Sequence, residues 1–143
     1  MSPQQLTGHF TFATWQEDSI SPQEASPRLA RATIVNAFTG GIEASATDCA
    51  YSLVYLTEKT GVFNGLQVFS GSLDGRTGGF VLEERGTFGA DGTVHCTLEV
   101  VENSGTGELT GLRGTGGFVA VHGESTVPYT FEYRLGQEPL AAS

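Results

Sequence analysis

Glu84 is the residue of this sequence best placed for acid–base chemistry, because its neighbours predict that it is buried. Phe80, Leu82 and Phe88 alternate with more polar residues, and Glu84 shares their phase. Alternate residues of a strand face the same side of a sheet, so Glu84 is expected among apolar side chains while Glu83 faces solvent. Burial disfavours the ionised carboxylate and raises its pKa. Glu84 is therefore the first candidate for a general acid or base.

Two structural interpretations of Glu84 stay open beside the catalytic one. A β-bulge would change its phase and place it outside. Alternatively, Arg76 or Arg113 would pair with it as a structural partner, because a buried charge is costly unless it is paired.

His122 is the second candidate for proton transfer. It shares the phase of Phe118 and Ala120 in an alternating run, and histidine titrates near neutral pH. The run ends there, directly before Gly123, a position that favours the alternative interpretation of an exposed histidine at a strand end.

Several further residues share the apolar phase of their segments and are expected to contact a ligand. An apolar pocket with a few convergent polar groups is typical of a small-molecule site. The amides among them also fit satisfied core amides, and the tyrosines fit core residues whose hydroxyl doubles as a donor. The candidate ligand-binding residues are Asn36, Tyr51, Tyr55, Gln67, Phe80, Phe118, Phe131 and Tyr133.

Eight alternating segments, separated mostly by glycine-containing turns, must position these residues. Such a series is typical of an antiparallel meander, and a meander of this length removes its edges by closing into a barrel. The sequence therefore predicts an all-β, eight-stranded antiparallel barrel of the lipocalin-like kind, with a β-sandwich as the alternative. The longest loop is expected at Glu17 to Pro27. The expected strands are Leu6–Gln16, Arg28–Thr39, Ile42–Thr57, Val62–Leu73, Arg76–Phe88, Thr93–Glu102, Gly116–His122 and Val127–Leu135.

The stretch from Gly105 to Phe118 is rich in glycine and lies between two of these strands. It lacks the Gly-Lys-Ser/Thr of a phosphate loop and the flanking strand and long helix of a dinucleotide site. We expect a short helical turn near residues 107–113, with positive φ at Gly107 and Gly114.

Composition narrows the classes of partner. The 143 residues fit a single domain, 1–143, whose ends 1–5 and 137–143 are expected to be flexible. A net charge of −9 with only 7 Lys and Arg argues against nucleic acid and anionic membranes as partners.

The N-terminus is polar and no apolar run approaches a membrane span, so a cytoplasmic protein is expected. Cys49 and Cys96 read as two buried thiols, and no metal site or cofactor is expected.

The fourth segment is apolar on both faces. Phe63, Gln67 and Phe69 share one phase, and Leu66 and Val68 occupy the other. If one set lines the barrel, the other needs cover, so a homo-oligomer is expected, most simply a dimer.

The glycine-rich stretch also resembles a motif of a known protein family. Gly105 to Gly114 with Gly116-Gly117-Phe118 resembles the signature of a bacterial family of unknown function, number 3224. Further matches are Gly8 to Trp15, Gly75 to Leu82, Gly86-Thr87-Phe88 and Tyr129 to Tyr133. The resemblance implies an allene-oxide-cyclase-like barrel, distantly similar to allene oxide cyclases and dirigent proteins. At position 84, where relatives carry His after Val-Leu-Gln, this chain has Glu after Val-Leu-Glu.

The resemblance implies that the barrel holds a hydrophobic small molecule. The first hypothesis is a cofactor-free isomerase or cyclase that folds a polyketide-like or lipid-like substrate into a reactive conformer, with Glu84 and His122 moving protons. The other hypotheses are a non-catalytic binding barrel and a structural homo-oligomer with a filled core.

Overall fold

A computed structural model describes residues 3–136 of the protein and shows a closed, eight-stranded antiparallel β-barrel. The barrel confirms the predicted fold class and excludes the sandwich. Each strand pairs with its neighbours in sequence, and β1 closes the barrel against β8. The strands are β1 (Gln4–Ser19), β2 (Arg28–Gly40), β3 (Ile42–Tyr55), β4 (Gly61–Leu73), β5 (Arg76–Phe88), β6 (Val94–Val100), β7 (Leu112–Ala120) and β8 (Val127–Leu135).

Closure of the barrel corrects one expectation about the chain ends. Gln4 pairs with Tyr133 and Gln5 with Glu132, so residues 4–5 belong to β1 rather than to a flexible end. Residues 4–5 cover backbone groups of β8 that would otherwise form an open sheet edge. Residues 1–2 and 137–143, also expected to be flexible, lie outside the described residues.

The alternation of antiparallel strands gives the barrel two different ends. At one end lie the tight β2–β3 and β4–β5 turns and the β6–β7 connection, which contains a 3-10 turn at residues 107–109. This end is the closed end. At the other end, the open end, lie the loops 20–27, 56–60, 89–93 and 121–126.

The half of the barrel next to the closed end is filled by side chains. Phe69 stacks on Phe80 with ring centroids 4.7 Å apart, and Phe38 packs edge-on against Phe69 at 4.8 Å. Leu109 of the 3-10 turn is fully buried and plugs the closed end. The other buried side chains of this half include Ile42, Leu73, Leu112, Tyr129, Phe131 and Tyr133.

The glycine-rich stretch forms the predicted short helical turn and then enters β7 at Leu112, earlier than the expected Gly116. Gly107 has the positive φ expected of it, 61°. Gly114 does not have a positive φ, so the prediction of a positive φ at Gly114 is wrong. A Cβ at Gly114 would lie 2.6 Å from the carbonyl oxygen of Glu132 and 2.9 Å from the Phe131 ring, so close packing against β8 requires the glycine.

A bulge in β1 changes which of its residues face inward. The pairing with β2 shifts between Phe12 and Thr14, which leaves Ala13 as an extra residue. Beyond the bulge Trp15 and Glu17 pair with the inward-facing Ile34 and Ala32. The predicted end of the strand at Gln16 is therefore wrong, and Glu17 belongs to a strand rather than to the loop.

Two smaller expectations can be compared with the structure. Cys49 and Cys96 are buried free thiols, as predicted. Within residues 3–136, no helix is long and apolar enough to span a membrane.

Candidate functional site

A cavity of about 610 Å³ occupies the half of the barrel next to the open end. Its walls are inward-facing side chains of the strands, and its rim is formed by the loops at 56–60, 89–93 and 121–126. Aromatic pairs hold the wall in place: Tyr51 lies 4.8 Å from Phe63, and Tyr55 lies 5.1 Å from Phe88, between ring centroids. The aromatic residues that line the cavity are Phe10, Phe12, Trp15, Tyr51, Tyr55, Phe63, Phe88 and Phe118.

A buried hydrogen-bond network forms the polar floor of this cavity. Asn36 and Tyr51 line the cavity, and the other members lie behind them. Asn36 Nδ2 donates to Gln67 Oε1 at 2.8 Å, and Thr47 Oγ1 donates to the same oxygen at 2.5 Å. Gln67 Nε2 donates to Glu84 Oε2, and Tyr51 Oη donates to Glu84 Oε1, both at 2.5 Å. All of these hydrogen bonds lead toward one carboxyl group.

Glu84 is fully buried at the end of this network, as its phase in the sequence predicted. Burial raises its pKa, and the hydrogen bonds from Tyr51 and Gln67 partly oppose that rise. The pairing of β5 with β4 runs without a break from Arg76 to Phe88, so no bulge displaces Glu84. The carboxyl group is therefore held among neutral donors in an apolar interior.

The expected arginine partners of Glu84 lie elsewhere. Arg76 donates to the Tyr133 hydroxyl at 3.0 Å. Arg113 pairs with Glu102 at 2.6 Å on the surface. The interpretation of Glu84 as an arginine-paired carboxylate is therefore wrong, because both arginines face the outside or the closed end.

The groups around Glu84 resist ionisation. Burial, followed by the charge of Glu84, raises the pKa of Tyr51 well above its usual range. The same two causes raise the pKa of Cys49 to about 12 and also raise that of Cys96. A thiol reacts as the thiolate, so these cysteines are poor nucleophiles in the folded barrel. Tyr51 stays protonated and can act as a hydrogen-bond donor or as a proton relay.

A second carboxyl group, Glu17, lies at the mouth of the cavity. The Tyr55 hydroxyl donates to Glu17 Oε2 at 2.5 Å, and Trp15 Nε1 donates to Glu17 Oε1 at 3.1 Å. The Arg28 guanidinium lies 4.3 Å from the centroid of the Tyr55 ring. Burial and the hydrogen bond to Glu17 raise the pKa of Tyr55 to about 12.

Sequence reasoning missed Glu17 and the cavity-lining Trp15. One signal was available: Trp15 is out of phase with Phe10 and Phe12, and such a phase break between aromatic residues indicates a bulge.

His122 lies in the exposed turn after β7, at the rim of the cavity. Its side chain packs over Gly92, where an added Cβ would lie 2.7 Å from the His122 Cβ. Among residues 3–136, no hydrogen bond joins His122 to the Glu84 network. The structure therefore separates the two candidates for proton transfer, with Glu84 behind the floor and His122 at the mouth.

The candidate ligand-binding residues divide between the two halves of the barrel. Asn36, Tyr51, Tyr55 and Phe118 line the cavity, and Gln67 lies behind Asn36 in the network. The remaining three face inward as expected but belong to the filled half, because alternation fixes the face of a residue and not its height along the barrel. They are Phe80, Phe131 and Tyr133; the Tyr133 hydroxyl donates to Asp74 at the closed end.

Fold and site together define a small β-barrel with one closed end and an aromatic cavity at the other. The chain belongs to the family described as "Protein of unknown function (DUF3224)", whose model matches residues 6–133. A solved structure of a DUF3224 protein of unknown function from Shewanella oneidensis MR-1 is 26% identical in sequence and superposes with a TM-score of 0.75. The match covers 95% of this chain and 99% of that one. Comparison with curated proteins finds no significant match.

Proposed function

We propose that this barrel binds a hydrophobic small molecule in the cavity at its open end. The observation that supports this most directly is the contrast between the walls and the floor of the cavity. The walls are aromatic and the floor presents Asn36 and Tyr51, the combination typical of small-molecule sites. A natural-product-like molecule, such as a polyketide or a lipid, has a size and polarity that this cavity can accommodate.

Exposed apolar side chains at the mouth support the same proposal. Phe12 is 58% exposed and Trp15 is 47% exposed, although both face the cavity entrance. Apolar area left in water costs about 25 cal/mol per Å², so a ligand that covers these rings gains free energy. The net charge of −9 favours a ligand that is not anionic.

Titration with the fluorescent apolar probe N-phenyl-1-naphthylamine tests the proposal. The wild type is expected to enhance the probe's fluorescence saturably. Ala120→Phe should weaken this binding at least tenfold, because residue 120 lines the cavity and the added ring would fill it. Val119→Phe is the matched control, since Val119 is the exposed neighbour on the same strand. Absence of saturable binding, or equal weakening by the two variants, would overturn the proposal.

A cofactor-free isomerase or cyclase is the second candidate, and the contact between Tyr51 and Glu84 favours it. Tyr51 lines the cavity and donates to a buried carboxyl group whose pKa is raised by burial. A substrate proton could pass to Tyr51 Oη while the Tyr51 proton passes to Glu84. Reversal of both transfers would return a proton to another atom of the substrate. No proton is gained or lost in total, as an isomerisation requires.

In this second candidate the cavity supplies the positioning and His122 at the rim is a second group for proton transfer. Rigid aromatic walls would hold a flexible substrate in one conformer, which lowers the entropic part of the barrier. A distant relationship to allene oxide cyclases and dirigent proteins, which the sequence resemblance implies, would agree with chemistry of this kind.

Proton exchange into a simple ketone separates the two candidates. The exchange of the α-hydrogens of 2-tetralone in D₂O, followed by NMR, should be faster with wild-type protein than with buffer. Glu84→Gln should remove the acceleration while keeping the affinity for N-phenyl-1-naphthylamine. Glu83→Gln, an exposed neighbour of the same chemistry, should behave as wild type. No acceleration by wild type would leave the binding function standing and remove the catalytic one.

We also propose that the protein forms a homodimer through the outer face of β4. Leu66 and Val68 are each 52% exposed there, and Val62 is 42% exposed. A two-fold dimer buries the same patch on both copies, so one apolar face is enough to build it.

A further inference from the structure

The polar floor of the cavity contains an oxygen atom without a partner. Asn36 is only 4% exposed and lines the cavity. Its Nδ2 donates to Gln67 Oε1, but among the described residues no group donates to its side-chain oxygen, Oδ1. Buried polar atoms are nearly always hydrogen-bonded, so this oxygen is available to accept a hydrogen bond from a ligand in the cavity.

The donor and acceptor directions in the network determine which side-chain atom of Asn36 has no partner. Gln67 presents its NH₂ group to Glu84, with Nε2 donating to Oε2 at 2.5 Å. Gln67 Oε1 then faces Asn36 and also accepts from Thr47. Asn36 therefore turns its own NH₂ toward Gln67 and uses one N–H there, and its side-chain oxygen is left without a donor among the described residues.

Tyr51 also presents an oxygen acceptor at the floor of the cavity. Its hydroxyl hydrogen is directed at Glu84 Oε1, so the atom that Tyr51 offers elsewhere is an oxygen with lone pairs. Both polar residues of the floor therefore have an oxygen atom that can accept a hydrogen bond from a ligand.

We infer that the ligand carries a hydrogen-bond donor, a hydroxyl or an N–H group, at the end that is buried against Asn36 and Tyr51. This inference rests on the proposed binding function and specifies the class of ligand. Phenols, enols, alcohols and N–H heteroaromatics belong to that class. Esters, ethers and ketones that cannot enolise do not, because their oxygens would face other acceptors.

Matched pairs of small aromatic probes test the inference. The dissociation constants of 2-naphthol and 2-methoxynaphthalene, and of indole and 1-methylindole, are measured by displacement of N-phenyl-1-naphthylamine. Each pair differs by the replacement of the donor hydrogen by a methyl group. The donor member should bind about fivefold more tightly or better, the ratio that one net hydrogen bond supplies. Apolar transfer alone predicts the reverse order, because the methylated member is the more hydrophobic.

Asn36→Leu should abolish the preference within each pair while the methylated probes still bind. Gln67 Oε1 keeps Thr47 as a donor in this variant, so the network survives. Asn64→Leu, an exposed amide on the outer face of β4, is the control and should keep the wild-type preference. If Asn36→Leu does not fold, the wild-type pairs still decide the question.

The outcomes separate this inference from the proposed function. Equal affinities, or tighter binding of the methylated probes to wild type, would overturn the inference and leave the binding function intact. A preference in one pair alone would identify hydroxyl or N–H as the donor and support it. Failure of N-phenyl-1-naphthylamine itself to bind would overturn both.

Discussion

The two halves of the barrel are built from the same eight strands but use their inward-facing residues in opposite ways. Near the closed end, rings and aliphatic side chains meet across the interior, and the 3-10 turn adds Leu109 as a plug. Near the open end, the rings pair along the wall and leave about 610 Å³ between them. We interpret the difference as a division of roles, in which the closed half supplies stability and the open half holds the proposed ligand.

The Glu84 network lies at the boundary between these halves. It joins β2, β3, β4 and β5 through hydrogen bonds from Asn36, Tyr51 and Gln67. A polar layer at this height costs free energy unless every group is paired. Among residues 3–136 no group donates to the side-chain oxygen of Asn36, and Asn36 lines the cavity, where a ligand can reach it.

Truncation of one phenylalanine in each half should give the largest difference. Phe69→Ala should lower the free energy of unfolding by about 3–5 kcal/mol, because Phe69 is 1% exposed and packs on Phe38 and Phe80. Phe88→Ala should cost about 1–2 kcal/mol, because that ring is half-buried beside an existing cavity. Urea denaturation measures both. Equal losses would contradict the division of roles between the two halves.

Valine at Gly114 should give the next largest effect. The added Cβ would overlap the carbonyl of Glu132 and the Phe131 ring, so the free energy of unfolding should fall by about 1–3 kcal/mol. Thr115→Val is the control, because its side chain is exposed and of similar shape. A melting temperature for Gly114→Val that matches the control would show that β7 and β8 can separate at no cost.

Glu84→Gln should change how stability depends on pH. Burial raises the folded-state pKa of Glu84 above its unfolded value, so the folded protein holds a proton that the unfolded chain releases. The stabilising contribution is present below the unfolded pKa, about 4.3, and is lost as pH rises through the folded pKa. Glu84→Gln should therefore gain stability relative to wild type across that window, as thermal melts in a pH series would record.

Glu83→Gln is the control for this pH series and should follow the wild-type curve, since the Glu83 side chain is exposed. A constant difference between Glu84→Gln and wild type at every pH would mean that the pKa of Glu84 is the same in the folded and unfolded states.

Charge on the outer face of β4 should have the smallest effect on the barrel itself. Leu66→Lys should convert the proposed dimer to a monomer in light scattering, with little change in the melting temperature of the monomer. Leu66 is 52% exposed on the outer face, so probe binding inside the barrel should persist. A monomeric wild type at micromolar concentrations would remove the dimer and leave the comparison of the halves unaffected.

The faces of the barrel were predictable from the sequence, and so were the eight strands. Period-2 alternation favoured the interior for Glu84 and Asn36, and both are buried. Gln67 is buried as well, but its segment is apolar on both faces, so alternation left its side open. Alternation depends only on neighbours in one strand, so a single sequence contains it.

The height of each residue along the barrel was not predictable, because it depends on the register between strands. Phe80 and Phe118 carry the same apolar signal, yet the first belongs to the filled half and the second lines the cavity. The bulge at Ala13 was missed for a similar reason, since its effect on Trp15 and Glu17 appears only once β1 is aligned with β2.

Native mass spectrometry of the protein purified from its own cells tests the central claim most directly. We expect wild-type protein to retain a small hydrophobic molecule that dissociates on gentle activation, and Ala120→Phe, prepared identically, to lack it. The released mass should fit a molecule with a hydroxyl or N–H group. A bare chain in the wild type that also fails to bind N-phenyl-1-naphthylamine would contradict the claim that the open half of the barrel is a ligand site.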